Sequence, residues 1–528
     1  MLPVLTAAEM RGVDERAVRD LGIPGAALME NAGRGAAEAI LAALPSLGVR
    51  GAGARVAIVC GKGGNGGDGF VVARHHARAR LRPDVLLLAA PSELRGDAAG
   101  KYREMRRAGI AARVVREAPA LGAALRRAAF VVDAMLGTGS RGAPAGVTAD
   151  AIQRVNASGR PVVALDIPSG LPADGDEPQG PAIRAALTTT FAAPKRGLVM
   201  GAGVELAGRV QVVPIGVPPA EVERGITTFV LERSDVAPHL PRRRREAHKG
   251  SYGHLLVVAG SVGKTGAAAL AARGALRAGV GLVTVATAAS AQPTVAALSL
   301  EAMTLPLPET AVRTVAREAR ETLLAAAGAR DAGAMGPGLG LDDDTQALVR
   351  DLARELTVPV ALDADALTAV VGHLGVLRDA RGPRCLTPHP GEMARLLGVS
   401  IAEVQRDRIA LARDFARAWG VHLVLKGATS VIASPDGRVA LNPTGNPGMA
   451  SGGTGDVLTG VLGAFLARQL APDVALQCAV YIHGSAGDVA AERVGEESLI
   501  AGDVVDALPE AFRRLSGDQP CPPLLPRS

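Results

Sequence analysis

The fold of the first half is decided by the stretch RVAIVC-GKGGNGGDGF, residues 55–70. Its apolar run is typical of a buried strand, and the glycines that follow interrupt it before a helix begins. The spacing G-x-G-x-x-G, which dinucleotide-binding folds place between a strand and a helix, is satisfied by Gly61, Gly63 and Gly66. Asn65 and Asp68 add side-chain oxygens that could bind a cation or a ribose. A tight strand-to-helix turn without a ligand is the alternative.

Around this stretch, short apolar runs alternate with alanine-rich amphipathic segments from about residue 55 to residue 215. Helices are predicted at Ala8–Asp20 and Ala26–Leu44, and further strands at Val85–Ala89, Phe130–Asp133 and Val162–Asp166. Strands that alternate with helices favour a parallel sheet covered on both faces. We therefore expect a Rossmann-like three-layer α/β domain over residues 1–236.

Two of these strands end in an acid that is followed by a loop of small residues. Asp133 precedes the loop 136–142, and Asp166 is followed by Pro168 and Ser169. Ligands of open α/β sheets lie outside the carboxyl ends of the strands, so we expect these segments and the glycine loop to line one pocket. A lone aspartate at a strand end is more often a cap or a turn residue, whereas three polar strand ends indicate a site.

A domain boundary is predicted between Ser234 and Ser251, because this segment holds two prolines and a run of four arginines. A second alternation follows, with a strand at His254–Ala259, a helix at Gly266–Ala278 and a strand at Leu282–Ala286. The two halves share no repeated motif, so we expect a different α/β domain over residues 237–515. Residues 516–528 are rich in proline and are predicted to form a disordered tail.

The second half contains a glycine nest, NPGMASGGTGD at residues 446–456, that runs into an apolar helix. Successive backbone amides and the helix N-terminus favour a bound anion. Asp456 would repel a phosphate there, but it could take the proton of a hydroxyl that attacks one. A glycine-rich turn capped by the aspartate is the alternative.

Other loops of the second half also suit a ligand. Lys264-Thr265 imitates a phosphate-binding P-loop, but Val258 stands where that motif requires glycine, so we reject it. Residues 335–340 form another glycine loop at a strand end, and two prolines flank His389. The segment Lys426–Ser430 joins two predicted strands and offers a cation and hydroxyls to nucleotide phosphates.

The composition argues against several classes of partner. The net charge is +6, but one Trp, three Tyr and seven Phe are too few for the aromatic platforms of a single-strand nucleic-acid binder. The four cysteines show no paired spacing, which suits a reducing compartment without zinc or disulfides. No leader is visible, and the uncharged residues 278–300 read as a strand, a turn and a helix. We expect a cytoplasmic protein that binds neither nucleic acid nor membrane.

Taken together, these segments resemble the bifunctional bacterial NAD(P)H-hydrate repair enzymes over roughly residues 5–515. The loop GNGGDG, the strand end D-x-x-x-G-T-G, and the motifs PHPGE, KG and GGTGD occur in the order of that family. The resemblance implies an epimerase in the first half and an ADP/ATP-dependent dehydratase with a ribokinase-like α/β fold in the second. One departure is Gly64, where the family usually has asparagine, and we expect it to loosen the loop without removing activity.

Site residues follow from the resemblance. In the first half the hydrated dinucleotide would be held by Gly64, Asn65, Gly66, Gly67, Asp68, Gly137, Thr138, Gly139, Ser140, Arg141, Gly142, Ala143 and Asp166. A potassium ion would be held by Asn65, Asp133 and Ser169. In the second half the hydrate would contact Ala267, Gly338, His389 and Asp456, and the adenine nucleotide would contact Lys426, Gly427, Ala428, Thr429, Ser430 and Gly455.

The implied reaction repairs a cofactor that has added water across its nicotinamide ring. The first half would interconvert the R and S hydrates of NADH and NADPH, with Asp166 as acid/base. The second would phosphorylate the S hydroxyl with ADP or ATP and Mg²⁺, with Asp456 as base, and then expel phosphate. We also expect a homo-oligomer.

Two other functions remain open at this stage. One is a small-molecule kinase of the ribokinase type, acting on a vitamin precursor, with the first half as a dinucleotide-binding regulatory module. The other is a non-enzymatic scaffold, against which the joint retention of Asn65, Asp133, Asp166 and Ser169 argues.

Overall fold

The computed structural model describes residues 1–175 and 177–517 and divides the chain into two compact units. One unit comprises residues 2–226, and the other comprises Met1 and the chain from Thr227 onward. The second unit begins before the predicted boundary at 236, because strand Thr228–Val230 pairs with strand Val439–Asn442 of its sheet. The predicted position of the boundary is corrected accordingly.

The first unit is built on a seven-stranded sheet in which every neighbouring pair is parallel. In spatial order its strands are Ala112–Val114, Arg82–Leu87, Arg55–Cys60, Phe130–Ala134, Val162–Leu165, Leu187–Phe191 and Arg209–Val213. Its helices are Ala7–Arg19, Gly25–Ala43, Gly64–Arg78, Gly96–Arg107, Gly122–Arg127, Gly146–Ala157, Arg196–Val199, Gly203–Leu206 and Pro219–Glu223.

Alternate residues of its strands enter two separate cores. Val56 and Ile58 pack into one apolar cluster with the helices Ala7–Arg19 and Gly25–Ala43, whereas Ala57 and Val59 pack into another. Side chains of a strand alternate between the two faces of a sheet, so the clusters lie on opposite faces. This is the three-layer arrangement that the sequence predicted.

Ten strands of the second unit lie in one sheet. In spatial order they are Thr228–Val230, Val439–Asn442, Ser430–Ala433, His422–Leu425, Arg384–Leu386, Val360–Leu362, Ala332–Met335, His254–Val258, Leu282–Ala288 and Met303–Leu307. Strand Ser430–Ala433 runs antiparallel to both of its neighbours, and the other pairs are parallel. The carboxyl ends of the parallel strands therefore share one edge, where the ligand loops are expected.

The helices of the second unit are Arg233–Val236, Thr265–Arg277, Gln292–Leu298, Arg320–Gly328, Asp343–Glu355, Asp365–Ala369, Gly375–Arg378, Pro390–Leu397, Ile401–Arg406, Arg408–Trp419, Thr454–Ala467, Pro472–Val494 and Ala501–Ser516. Three of them, Thr454–Ala467, Pro472–Val494 and Ala501–Ser516, pack with Thr265–Arg277 into the largest core of this unit. The last helix includes Ser516, so the predicted tail begins too early, and its residues 518–528 lie outside the described chain.

The uncharged residues 278–300 form strand Leu282–Ala288 and helix Gln292–Leu298, as predicted. Every helix that the structure describes is too short or too polar for a membrane span.

Candidate functional site

The glycine loop of the first unit packs directly against the end of the neighbouring strand. A Cβ on Gly61 would lie 2.0 Å from the carbonyl oxygen of Met135, and one on Gly66 would lie 2.0 Å from that of Gly61. Only glycine allows so close an approach of two backbone segments. The loop and the strand end Phe130–Ala134 are therefore held edge to edge.

A cavity of about 850 Å³ opens beside this junction. Predicted residues that line it are Gly64, Asn65, Asp68, Gly137, Thr138, Gly139, Ser140 and Asp166. Arg141 and Gly142 line a smaller adjoining cavity of about 200 Å³, while Gly67 packs against Met29 and Ala98 instead. The structure thus brings three separate sequence segments to one pocket.

Asp166 is held by more contacts than its sequence context indicates. It adopts a left-handed backbone conformation with φ of 63°, and its Oδ1 lies 2.6 Å from the buried ammonium of Lys195. Thr138 donates to Oδ2 through its backbone N–H at 3.0 Å and through its hydroxyl. Burial alone would raise the pKa of Asp166, but the Lys195 charge and the donated hydrogen bonds outweigh burial and lower it. Asp166 is therefore an ionised carboxylate.

Two other shielded carboxyl groups line the same cavity, whose remaining acids, Glu93 and Asp97, are exposed. Asp68 is only 7% exposed, and burial together with the charges of Asp166 and Asp14 raises its pKa well above the usual range. Asp14, on helix Ala7–Arg19, has its pKa raised to about 6, chiefly by burial. The acids of the cavity therefore have pKa values that their surroundings shift in opposite directions.

The predicted cation ligands meet around the backbone of Leu136. Asn65 donates its Nδ2 to the Leu136 carbonyl at 2.7 Å, and Ser169 Oγ accepts the Leu136 N–H at 2.9 Å. Ser169 Oγ also donates to Asp133 Oδ1 at 2.6 Å. The Oδ1 atom of Asn65 is buried and has no hydrogen-bond partner. The three side chains are thus linked through Leu136, and an orphaned buried amide oxygen among oxygen donors suits a hard cation.

In the second unit Asp456 lies in the first turn of helix Thr454–Ala467, which begins after Gly453 at φ of 93°. The first amides of a helix have no partner within it, so they face the same position as the carboxylate. Burial and then the charge of Asp363 raise the pKa of Asp456 to about 6, although Lys426 opposes the shift. A base with a pKa near 6 is ionised at neutral pH and still basic enough to accept a proton.

Lys426 joins the acids of this site. Its ammonium lies 2.9 Å from Oδ1 of Asp363 and 3.8 Å from Oε2 of Glu392. Thr459 donates its hydroxyl to the other Asp363 oxygen at 2.7 Å. Although burial opposes it, the surrounding carboxylates raise the pKa of Lys426, so the lysine is charged. A Cβ on Gly455 would lie 3.4 Å from Lys426 Nζ, which places the predicted nucleotide residues together.

The loop from Lys426 to Ser430 connects two antiparallel strands, as predicted. The buried guanidinium of Arg408 donates to the carbonyls of Leu425 and Ala428 at 3.0 and 2.7 Å. Thr429 has a left-handed φ of 53°, and Ser430 donates its hydroxyl to the carbonyl of Gly427 at 3.2 Å. These hydrogen bonds hold the loop backbone in place, while Gly427 and Ala428 stay exposed and accessible to a ligand.

His389 has a structural task that the sequence did not suggest. Its Nδ1 accepts the N–H groups of Gly391 and Glu392 at 3.0 and 3.4 Å, so the imidazole caps helix Pro390–Leu397. About half of its side chain is exposed, and its Nε2 lies 3.6 Å from Glu392. The predicted neighbours Ala267 and Gly338 do meet, since a Cβ on Gly338 would lie 3.1 Å from that of Ala267.

Four charged residues of these sites were not predicted from the sequence: Asp14, Lys195, Asp363 and Glu392. Asp363 directly follows strand Val360–Leu362, so the rule that selected Asp133 would have found it. Lys195 follows strand Leu187–Phe191, which the apolar pattern did not predict. Asp14 lies within a helix and carries no local signal.

Comparison with known proteins gives a consistent result for both units. A family model described as NAD(P)H-hydrate dehydratase matches residues 255–510, and one described as YjeF-related protein N-terminus matches residues 25–197. The bifunctional NAD(P)H-hydrate repair enzyme Nnr of Moorella thermoacetica is 45% identical over 522 residues, covering 97% of each chain. Its counterpart from Thermofilum pendens is 40% identical and covers 98% of this chain and 97% of its own.

Proposed function

Because this chain belongs to the family of bifunctional NAD(P)H-hydrate repair enzymes, we propose that each of its units carries one step of the repair. The first unit interconverts the R and S hydrates of NADH and NADPH, and the second dehydrates the S epimer with ADP or ATP. The observation that carries the proposal is that each unit has a convergent site of its own, with Asp166 in the first and Asp456 in the second.

In the first unit the large cavity receives the hydrated nicotinamide half of the dinucleotide. Backbone amides of the two loops Gly64–Asp68 and Gly137–Ala143 bind its phosphates and sugar, since these loops border the cavity or its smaller neighbour. Asp166 contributes a carboxylate that is ionised at neutral pH. An ionised carboxylate cannot donate a proton, so the reaction requires another acid as donor.

Potassium is the cation that we propose for the cluster Asn65, Asp133 and Ser169. The orphaned Asn65 Oδ1 supports it, because a buried amide oxygen without a partner costs free energy that an ion contact would offset. The donors of this cluster are amide, carboxylate and hydroxyl oxygens without a His or Cys, a set that suits a hard cation better than a transition metal. Bound potassium would supply positive charge beside the loop Gly137–Ser140.

In the second unit Asp456 accepts the proton of the S hydroxyl as that oxygen attacks the terminal phosphoryl group of ADP or ATP. The free amides around Gly453 and the ammonium of Lys426 stabilise charge that develops on the transferring phosphoryl oxygens. Loop Lys426–Ser430 and Gly455 hold the nucleotide, whereas Ala267, Gly338 and His389 border the hydrate. Phosphate then leaves as the ring double bond reforms.

Mg²⁺ is proposed to arrive with the nucleotide. Asp363, Glu392 and Asp456 surround one lysine, so the acids exceed the local positive charge and would accept a divalent cation. Mg²⁺ typically binds one or two carboxylates together with substrate phosphates, so it does not need a cage made of protein alone. When bound it would neutralise phosphate charge.

We propose a cytoplasmic location and a homo-oligomer. Cys60, Cys385 and Cys478 are free and buried, which suits a reducing compartment. Leu298, Leu300 and Met303 expose apolar surface beside the edge strand Met303–Leu307, which supports contact between copies.

The test is to incubate the full chain with separated R and S hydrates of NADH, with and without ADP or ATP. We expect nucleotide-dependent recovery of the nicotinamide absorbance, with release of inorganic phosphate, from both epimers. A stable phosphorylated product would favour the small-molecule kinase instead. Absence of turnover with either epimer would favour the scaffold.

A further inference from the structure

Five carboxyl groups line the epimerase cavity. Glu93 and Asp97 are exposed, whereas Asp14, Asp68 and Asp166 are shielded from solvent and differ in how the protein holds them. Both oxygens of Asp166 are occupied, one by Lys195 and the other by Thr138. Asp14 and Asp68 line the same cavity, yet their carboxyl groups have no hydrogen-bond partner among the described residues. Among the shielded acids, Asp14 and Asp68 are therefore the ones whose carboxyl groups are free to contact a ligand.

Asp14 faces the cavity because of helical periodicity. On helix Ala7–Arg19 the cavity is lined by Ala7, Met10, Arg11, Asp14 and Val18, which share one face at spacings of three and four. Glu15, the next residue, is exposed and does not line the cavity. Asp14 thus approaches from this helix, while Asp68 belongs to helix Gly64–Arg78.

Asp68 is only 7% exposed, and its carboxyl group borders the cavity without a hydrogen-bond partner among the described residues. A substrate hydroxyl or a water would provide the missing hydrogen bond. Asp14 lies close enough for its charge to raise the pKa of Asp68, so two acids from different helices meet at one cavity, as a proton donor and a proton acceptor for one carbon require.

We propose that Asp14 and Asp68 are the acid–base pair of epimerisation and that Asp166 is a positioning residue held ionised by Lys195. The inference rests on the proposed epimerase function. Asp68 gives its proton to the hydroxyl of the hydrated carbon, the carbon–oxygen bond breaks, and the lone pair of the adjoining ring nitrogen forms a carbon–nitrogen double bond. Water then adds to the other face, Asp14 takes the proton of that water, and the nitrogen regains its lone pair. The opposite epimer results, and solvent exchange restores both carboxyl groups.

Electrostatics support this division of roles. The pKa of Asp68 lies well above its usual range, which favours its protonated form, whereas Asp14, with a pKa raised to about 6, is mostly ionised at neutral pH. The charged groups that face Asp14 are Lys195, Asp166, Asp68, Glu15 and Arg11. Two carboxyl groups whose pKa values are pushed apart by their surroundings can serve as acid and base together.

The experiment uses the full chain with the separated R hydrate, an adenine nucleotide and the variants Asp14→Asn, Asp68→Asn and Glu15→Gln. Glu15→Gln makes the same chemical change on the same helix outside the cavity. Circular dichroism and urea unfolding of each variant check that the first unit is folded, and dehydration of the S hydrate checks the second unit. Hydrate binding without nucleotide separates binding from turnover.

We expect Asp14→Asn and Asp68→Asn to lower kcat for R-to-S conversion by about 10²–10⁴-fold, with KM within about threefold of wild type. The wild-type rate should fall as the pH drops below about 6, since Asp14 must be ionised, and Asp14→Asn should lose this limb. A kcat for Asp14→Asn within about threefold of wild type, or a loss that Glu15→Gln shares, overturns the inference while leaving the epimerase function intact. Failure of the wild-type protein to convert the R hydrate overturns both.

Discussion

The ammonium of Lys195 lies 2.6 Å from Oδ1 of Asp166, and the lysine side chain is inaccessible to solvent. Lys195 also donates to Thr190 Oγ1 at 3.0 Å and to the carbonyl of Phe191 at 2.8 Å, so it links the end of strand Leu187–Phe191 to the end of strand Val162–Leu165. The pair thereby holds Asp166 in its left-handed conformation at the edge of the cavity.

Lys195→Met should therefore destabilise the first unit strongly. Removing one partner leaves the other charge buried without compensation, which typically costs about 3–5 kcal/mol of unfolding free energy. Urea unfolding of the full chain measures the loss as a lower free energy of unfolding for the transition of the first unit. Lys62→Met is the matched control, because the Lys62–Glu93 pair is exposed and should contribute little. Equal effects of the two substitutions would contradict the structural role of Lys195.

The low pKa of Asp166 also predicts a pH dependence of stability. A carboxyl whose pKa is lower in the folded than in the unfolded state stabilises the fold above its unfolded pKa, about 3.9, and loses this contribution as pH falls through the folded pKa. The difference in unfolding free energy between wild type and Asp166→Asn should therefore be constant above about pH 5 and shrink below about pH 4. A difference that grows on acidification would show that the pKa of Asp166 is raised instead.

Periodicity predicted the α/β class of both units, because buried parallel strands produce continuous apolar runs and their helices produce amphipathic ones. It missed strand Leu187–Phe191, whose three central threonines look polar although all are buried in the sheet. It also missed strand Thr228–Val230, since three residues are too few to show a pattern. The domain boundary was misplaced for that reason.

Site residues could be predicted from the sequence where they lie at the end of a strand or directly follow it, as Asp133, Asp166 and Lys426 do. Asp14 could not be found in this way, because only the packing of helix Ala7–Arg19 brings it to the cavity. The sequence also could not predict that His389 caps a helix, since this depends on the backbone angles at the start of Pro390–Leu397.

Asp456→Asn should lower the rate of dehydration by at least about 10²-fold, because an amide cannot accept the hydroxyl proton. The rate of R/S interconversion should be unchanged. In the wild type the dehydration rate should fall as pH drops through about 6, where Asp456 becomes protonated. Phosphate release from the S hydrate measures the first activity, and exchange between the epimers measures the second. Loss of both activities in a folded variant would show that the two reactions share a site.

Epimerisation should depend on potassium. Replacing potassium with tetramethylammonium should lower the R-to-S rate, since the oxygens of Asn65, Asp133 and Ser169 suit a hard cation that a bulky organic cation cannot replace. Dehydration of the S hydrate in the same salts is the internal control. Asn65→Leu, which removes the orphaned oxygen, should make the rate insensitive to the salt. Identical epimerisation rates in both salts would leave the cation site without support.

Lys426→Met should shift the pH profile of dehydration as well as weaken nucleotide binding. Lys426 lowers the pKa of Asp456, so its removal should raise that pKa above about 6 and move the acid limb of kcat to higher pH. The KM for ADP or ATP should rise at the same time, because the ammonium beside Gly455 is lost.

Lys426→Arg should restore charge but not full activity, since a planar guanidinium does not fit the position of a compact ammonium between Asp363 and Glu392. Lys249→Met, an exposed lysine of the same unit, is the control. An unshifted acid limb in Lys426→Met at saturating nucleotide would mean that Asp456 is not the group that titrates, and would remove it as the base.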